Sequence, residues 1–520
     1  MRTDALLAAT IGYLLLPNAL FAAGWLRPGW GSAVVLVAAA CLVDVVRRAR
    51  TDRPPLSRLT WVVVLGLAAF WTIAGGIGEL NGQMSDYTKH NLVFHDLAVE
   101  PWPVIYHAPD LGDPMLCYYV AYYLPAALVA KLVGLQHAAA ASLAWGSAGV
   151  VLAFAWVARL GRPDGPVVLA LFTLVDGLCW MPGLAELARR LALGAGAPAG
   201  GWWQTDGFTE QFWNLAGVHT RLMFQSEPSL LIWTPQHALG GWLATACVLS
   251  VAWEGRSARY VALVNAAVVL WSPFVAVGLL PFTIAAAWRR TRLELSWADA
   301  AGALALAVPV SLYFLSHARQ RYFGLLARAL PDLGAWSRYL LFLSLAVGAV
   351  WTAVWLLQRR YALLDAPRWR AFRLAGAALV AATFVYMGKY NDWAMRVSIP
   401  SLFVLHLTAA TAAAALWRRR ARLAHRLAFA ALLLLTAERT IKAYVLVPLG
   451  RAGDQGIPTT IATARRAVEG LVRLRDGDDA GVATQYLGST ASWFGRHLMK
   501  TPPDGGTRPA TAGGGSGRHP

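Results

Sequence analysis

Asp86, Lys89 and His90 stand at i, i+3 and i+4, so one helical turn would bring a carboxylate, an ammonium and an imidazole onto one face. They open the polar stretch Ser85–Tyr119, SDYTKHNLVFHDLAVEPWPVIYHAPDLGDPMLCYY, which also holds His95, Asp96 and Asp113. A carboxylate beside a membrane cavity suits the deprotonation of an acceptor hydroxyl, with neighbouring groups orienting it or holding phosphate. Asp86, His90 and Asp113 are therefore the candidate catalytic groups, and Lys89 and His95 the candidate binding groups beside them. A divalent metal on His90 or His95 is the one cofactor this stretch could hold, although the spacing matches no strong ligand motif. The plain alternative is a solvated loop that follows a membrane span.

Two further clusters carry chemistry. In KYNDWAMR, Lys389 and Arg396 flank Asp392 within a very short loop, an arrangement suited to gripping a lipid phosphate; the alternative is an internal salt bridge to Asp392. In GWWQTDGFTEQFWNLAGVHTRLMFQSEP, tryptophans alternate with Glu210, His219, Arg221 and Glu227, and Gln236 and His237 follow. Aromatic faces with carboxylate and amide edges suit a sugar or another polyhydroxylated group, whereas an interfacial aromatic belt would explain the tryptophans equally well. His237 lies within an apolar span, where a histidine is costly unless it faces a cavity or has a partner.

The elements that must position these residues are hydrophobic. Of the 520 residues 57% are hydrophobic and 14% charged, more apolar than a soluble chain of this length. With about 20 apolar residues needed per crossing, the chain reads as an all-α, polytopic integral membrane protein of about 13 transmembrane helices. The net charge of +18 is concentrated in arginine clusters between apolar runs, as at Arg47, Arg48, Arg50 and Arg53, at Arg359 and Arg360, and at Arg418, Arg419 and Arg420. That is the positive-inside pattern, so the basicity reports topology and contact with anionic lipid and does not point to nucleic acid. It predicts a cytoplasmic N-terminus, an external C-terminus and an active face outside.

Charge also corrects hydropathy. Tyr118–Gly134 is apolar enough to span, yet counting it would put Arg159–Arg162 outside, so it reads as an interfacial helix in the first outer loop with Lys131 snorkelling. Val167–Met181 then crosses outward. Val261–Trp288 begins and ends at basic loops and holds Pro273 and Pro281, so it reads as a hairpin of two short helices meeting near WSPF. The predicted organisation is a transmembrane domain over 1–447, with outer loops 79–137 and 182–228, an outer segment 448–500 and a disordered tail 501–520. Thr459–Arg475 reads as an amphipathic helix, and Gln485–Lys500 as a segment docking on the outer face. The four cysteines lack metal spacing and read as buried free thiols. No Walker loop, dinucleotide fingerprint, HExxH or nucleophile elbow is present.

The acidic first outer loop, the run DPMLCYYVAYYLPAALVAKLVG before a crossing that ends in ARLGRPDG, and the later Pro-broken hairpin together resemble the GT-C membrane glycosyltransferases. That superfamily includes the protein O-mannosyltransferases and the lipid A aminoarabinose transferases, and the resemblance covers about Trp61–Trp288. The chain departs from the family pattern where Tyr87, not a second acid, follows Asp86, and where Asp113–Met115 replaces an HPP-like element. The resemblance implies a GT-C-like fold in a bacterial inner (plasma) membrane. It further implies transfer of a sugar from a polyprenyl-phosphate-linked donor to a lipid, glycan or protein, with Asp86 as base and Lys389 and Arg396 stabilising the departing phosphate. A transporter or flippase of a lipid-linked or anionic substrate is the competing reading, and an assembly factor that docks partners through Gln485–Lys500 is a third.

Overall fold

The longest apolar runs form the longest helices, because a helix satisfies its backbone polar groups internally and needs no partner for them in lipid. The computed structural model describes residues 2–84, 86–107, 112–194, 204–205, 208–209, 213–289, 292–293, 296–317, 323–388, 390–438, 440–441, 460–462 and 486–501. The predicted helix Thr459–Arg475, apart from 460–462, and the predicted disordered tail from 502 onward lie outside the described residues.

The chain is mostly helical, and among the described residues six helices are long and apolar enough to cross a membrane. The helices run in the order α1 (Ala5–Trp25), α2 (Pro28–Arg48), α3 (Arg58–Ala74), α4 (Asp86–Val99), α5 (Leu124–Val133), α6 (Ala138–Leu160), α7 (Gly165–Phe172) and α8 (Met181–Ala192). Then follow α9 (Glu227–Trp233), α10 (Pro235–Glu254), α11 (Val261–Val268), α12 (Pro273–Ala287), α13 (Trp297–Phe314) and α14 (Leu333–Tyr361). The last are α15 (Ala366–Ala382), α16 (Asp392–Val397), α17 (Ile399–Arg418), α18 (Leu423–Thr436) and α19 (Trp493–His497).

The bundle has two chemically distinct ends. At one end the arginine-rich loops meet. Arg159, at the end of α6, pairs with Asp4 at 2.9 Å and Glu254 at 2.8 Å, and Arg256 pairs with the same two carboxylates. Nearby, Arg368 donates to the Leu160 carbonyl at 2.8 Å, Arg419 to that of Tyr361 at 2.7 Å, and Arg418 pairs with Asp164. Asp4 also accepts the Leu7 amide at 3.2 Å, so one carboxylate both caps α1 and anchors it to α6. The polar stretch that opens α4 lies at the opposite end, beyond the far terminus of α1.

Local sequence explains the departures from simple spans. α5 has ten residues, about 15 Å at 1.5 Å per residue, which is too short to cross. Its Lys131 donates to the Glu100 carbonyl at 2.5 Å, tying α5 to the end of α4. α11 and α12 form the hairpin expected around WSPF: Ser272 caps α12 ahead of Pro273, and the Asn265 amide bridges back to Ala276 and Thr283 at 3.1 and 3.2 Å. The predicted crossing Val167–Met181 is not one helix. α7 stops at Phe172, and the Leu178 amide then donates at 2.8 Å to the Leu345 carbonyl, which lies in a π-helical turn at Ser344–Gly348. Cys117, Cys179 and Cys247 are buried free thiols, and Cys41 is partly buried.

Candidate functional site

The first turn of α4 delivers the expected triad. Lys89 Nζ lies 2.6 Å from Asp86 Oδ2, with side chains 20% and 32% exposed, so the pair is recessed but reachable. Burial works against the Asp86 charge, but Lys89, and behind it His90 and Arg396, hold the carboxyl below its usual range. Burial likewise opposes the Lys89 charge, and Asp86 outweighs it, raising the ammonium above its ordinary value. Both groups are therefore ionised.

His90 has a different role. Its Nε2 lies 3.0 Å from the Trp233 carbonyl, which can only accept, so Nε2 carries the proton and Nδ1 accepts from the Tyr123 hydroxyl at 2.5 Å. Burial, reinforced by Lys89, pulls its pKa down to about 4. With both nitrogens engaged and the ring neutral, His90 is a positioning residue that locks α4 to α5 and to the end of α9.

Around this triad the tertiary structure gathers groups from four distant segments. Arg396 on α16 pairs with Asp392 at 2.9 Å, donates to the Tyr119 hydroxyl at 3.1 Å, and lies 5.3 Å from the Tyr119 ring and 5.8 Å from Phe274 at the hairpin tip. The salt bridge to Asp392 thus forms, yet the buried Arg396 Nε has no partner among the described residues. Thr234 leaves the helical region between α9 and α10 (φ −144°, ψ 57°), and Pro235 starts α10. This puts Gln236 and His237 in the first turn of α10. The Gln236 amide donates to the Tyr118 hydroxyl at 3.3 Å, and its Oε1 is unpartnered among the described residues. His237 is fully buried edge-on to Tyr119 at 4.7 Å, and neither ring nitrogen has a partner there. Each such orphan costs about 1–3 kcal/mol unless a polar ligand or solvent meets it. They converge beside Tyr118 and Tyr119 as a cluster of unsatisfied polar atoms that a polar ligand would satisfy.

The C-terminal segment closes this region. Leu487 and Gly488 pair with Leu116 and Met115, the Cys117 amide donates to the Tyr486 carbonyl at 2.9 Å, and the Tyr486 ring rests 4.7 Å from that of Tyr118. Farther on, the Lys500 amide reaches the Trp25 carbonyl at 2.7 Å. Gly488 is required by this approach, since a Cβ there would come within 2.8 Å of Cys117 Cβ. From Tyr486 onward the segment expected to dock packs on Met115–Cys117 and the end of α1. Burial holds the Tyr118, Tyr119 and Tyr486 phenols above their usual range, so all three are neutral hydroxyls.

Other sequence candidates lie elsewhere. Asp113 pairs with His107 at 3.2 Å on exposed surface, 50% and 82% exposed, and is not gathered with Asp86. His95 turns to Asp96 at 3.2 Å, and Asp96 accepts the Tyr106 hydroxyl at 2.8 Å, a buried clamp on the chain after α4. Arg221 stacks 4.8 Å from Tyr390 and bonds Asn214, and His219 lies in the short turn just before it, so this loop packs on the segment leading to α16. Glu227 is buried against His406 at 3.0 Å, deep along α17. Glu210 and Lys389 lie outside the described residues. Tyr118, Tyr119, Tyr123 and Tyr486 escaped sequence reasoning; the CYYVAYY run was the only signal for the first three. Among the described residues no cluster of three or more His, Cys, Asp or Glu could hold a metal ion. No family model, curated protein or solved structure matches the chain.

Proposed function

We propose that the chain is a membrane glycosyltransferase that moves a sugar from a polyprenyl-phosphate-linked donor to a hydroxyl of a lipid, glycan or protein, at the bundle end opposite its arginine-rich loops. The observation that carries this reading is an ionised carboxylate, Asp86, within electrostatic reach of a buried guanidinium, Arg396, that shares Tyr119 with the unpartnered His237 and lies near the unpartnered amide oxygen of Gln236. Glycosyl transfer needs that combination: a base for the attacking hydroxyl and fixed positive charge for the leaving phosphate.

In the proposed reaction the acceptor oxygen attacks the anomeric carbon while its proton passes to Asp86, and the bond from that carbon to the phosphate oxygen breaks. Neutralising Asp86 dissolves its ion pair, so Lys89 becomes available to the phosphate as its charge develops. Arg396 holds the phosphate through its unpartnered Nε, with Lys389 a second cation carried over from the sequence reading. The hydroxyls of Tyr118, Tyr119 and Tyr486 supply neutral donors. Asp86→Asn is expected to abolish transfer in a chain that still folds, with a lowered melting temperature because Lys89 loses its ion-pair partner, and wild-type transfer by this variant would overturn the assignment.

The second reading, a transporter of a lipid-linked or anionic substrate, is favoured by the Glu227–His406 pair and by His237, ionisable groups buried within apolar helices. Reconstituted vesicles separate the two: movement of a labelled lipid-linked sugar across the bilayer without formation of glycosylated product would favour transport.

A further inference from the structure

We infer that the arginine-rich end of the bundle carries a second binding site, for the phosphate of an anionic lipid headgroup, in the cleft between the end of α2, the loop after it and the turn that follows α10. This goes beyond the transfer reaction and does not depend on it. The cleft is a cavity of about 540 Å³. Its floor is electrically closed: Arg256, with Arg159 behind it, is matched by Asp4 and Glu254 in one ion-pair network. Its mouth is not. Among the described residues, the lining carries Arg48, Arg50 and Arg259 against Asp44, an excess of two positive charges (3 − 1), beside Asp52 and Arg53.

These mouth arginines are accessible. Arg259 is exposed, and its side chain has no partner among the described residues. Arg48 meets Asp44 at 2.6 Å in a pair 61% and 43% exposed, which binds weakly in solvent and leaves nitrogens for a ligand. Arg50 spends one nitrogen on the Thr3 hydroxyl at 2.9 Å. Planar guanidinium forks of this kind grip phosphate oxygens in pairs.

The lipid source follows from α2. Only 22% of its apolar window is buried inside the bundle, the least of the six candidate spans. Leu36, Val43 and Val46, spaced seven and three residues apart, stand exposed along one face that ends at Arg47 and Arg48. An acyl chain lying on that face brings its headgroup phosphate to the cavity mouth. A soluble phosphate would use the same arginines but leave the apolar face without a role.

The test uses the full chain, purified in detergent, with phosphatidylglycerol, phosphatidylcholine or inorganic phosphate added separately. Native mass spectrometry reads retained lipid, and thermal melting reads the phosphate effect. Wild type is expected to retain phosphatidylglycerol in preference to phosphatidylcholine. Retention should fall about fivefold for each arginine removed, hence about 25-fold in Arg48→Gln/Arg259→Gln. Both positions are exposed and outside the ion-pair floor, and Arg259→Lys, which keeps the charge but not the fork, should give an intermediate loss with an unchanged fold. Stabilisation by millimolar inorganic phosphate with no preference for phosphatidylglycerol would overturn the lipid source and assign the site to a soluble phosphate. Equal phosphatidylglycerol retention by wild type and the double variant, with no response to phosphate, would overturn the site itself.

Discussion

Replacing Arg396 by Gln removes a guanidinium that is 9% exposed, pairs with Asp392 at 2.9 Å and donates to Tyr119 at 3.1 Å. A charge-assisted hydrogen bond to phosphate is worth about 1.5–3 kcal/mol, so the variant should bind polyprenyl phosphate about ten- to a hundredfold more weakly. Breaking a buried ion pair by removing one partner costs about 3–5 kcal/mol. Because Asp392 keeps 19% of its side-chain exposure, the lower end of that range applies here. Binding and stability therefore fall together in Arg396→Gln. Asp392→Asn separates them. It also breaks the pair, and so lowers the melting temperature, but it leaves the Arg396 charge uncompensated and should tighten anion binding. Native mass spectrometry with added polyprenyl phosphate, alongside thermal melting, reads both quantities. If binding and stability dropped in parallel in both variants, Arg396 would be a structural cation and its role toward phosphate would be refuted.

Two other outcomes follow from the geometry. His90 titrates at about 4 in the folded chain against an ordinary 6.5, so between these values the unfolded state binds the extra proton. Stability is complete above pH 6.5 and should decline by up to about 3 kcal/mol as pH falls toward 4, a slope that melting curves of His90→Gln should lack. A Cβ on Gly278 would collide with the Val397 carbonyl, directly after Arg396, whereas Gly66 on α3 has open space around it. Gly278→Val should destabilise by about 1–3 kcal/mol and weaken polyprenyl-phosphate retention, while Gly66→Val changes neither; equal behaviour of the two would show that this contact does not position Arg396.

Composition and charge determined the class of this protein and much of its local structure. Apolar runs form helices because lipid offers the backbone no partners. The arginine clusters meet at one end, as their spacing between those runs implied. The Asp86–Lys89 pair and the WSPF hairpin were readable because they depend only on residues within a few turns of one another. Contacts between elements were not readable in that way. Asp86 and Asp113 look alike in the sequence, yet one pairs with Lys89 within electrostatic reach of Arg396 and the other pairs with His107 on exposed surface. Glu227 sat among surface-like tryptophans, but the fold buries it against His406. Val167–Met181 had the composition of a crossing, but its helix ends at Phe172 and Leu178 bonds Leu345 far along the chain. Tyr486 reaches Tyr118 only because the C-terminal segment pairs with Met115–Leu116. Hydropathy and spacing fix which face of a helix is apolar and which residues share a turn. The candidate site brings orphan groups on α10 and α16 to Tyr118 and Tyr119 near the start of α4, and only the packing of those helices could decide that.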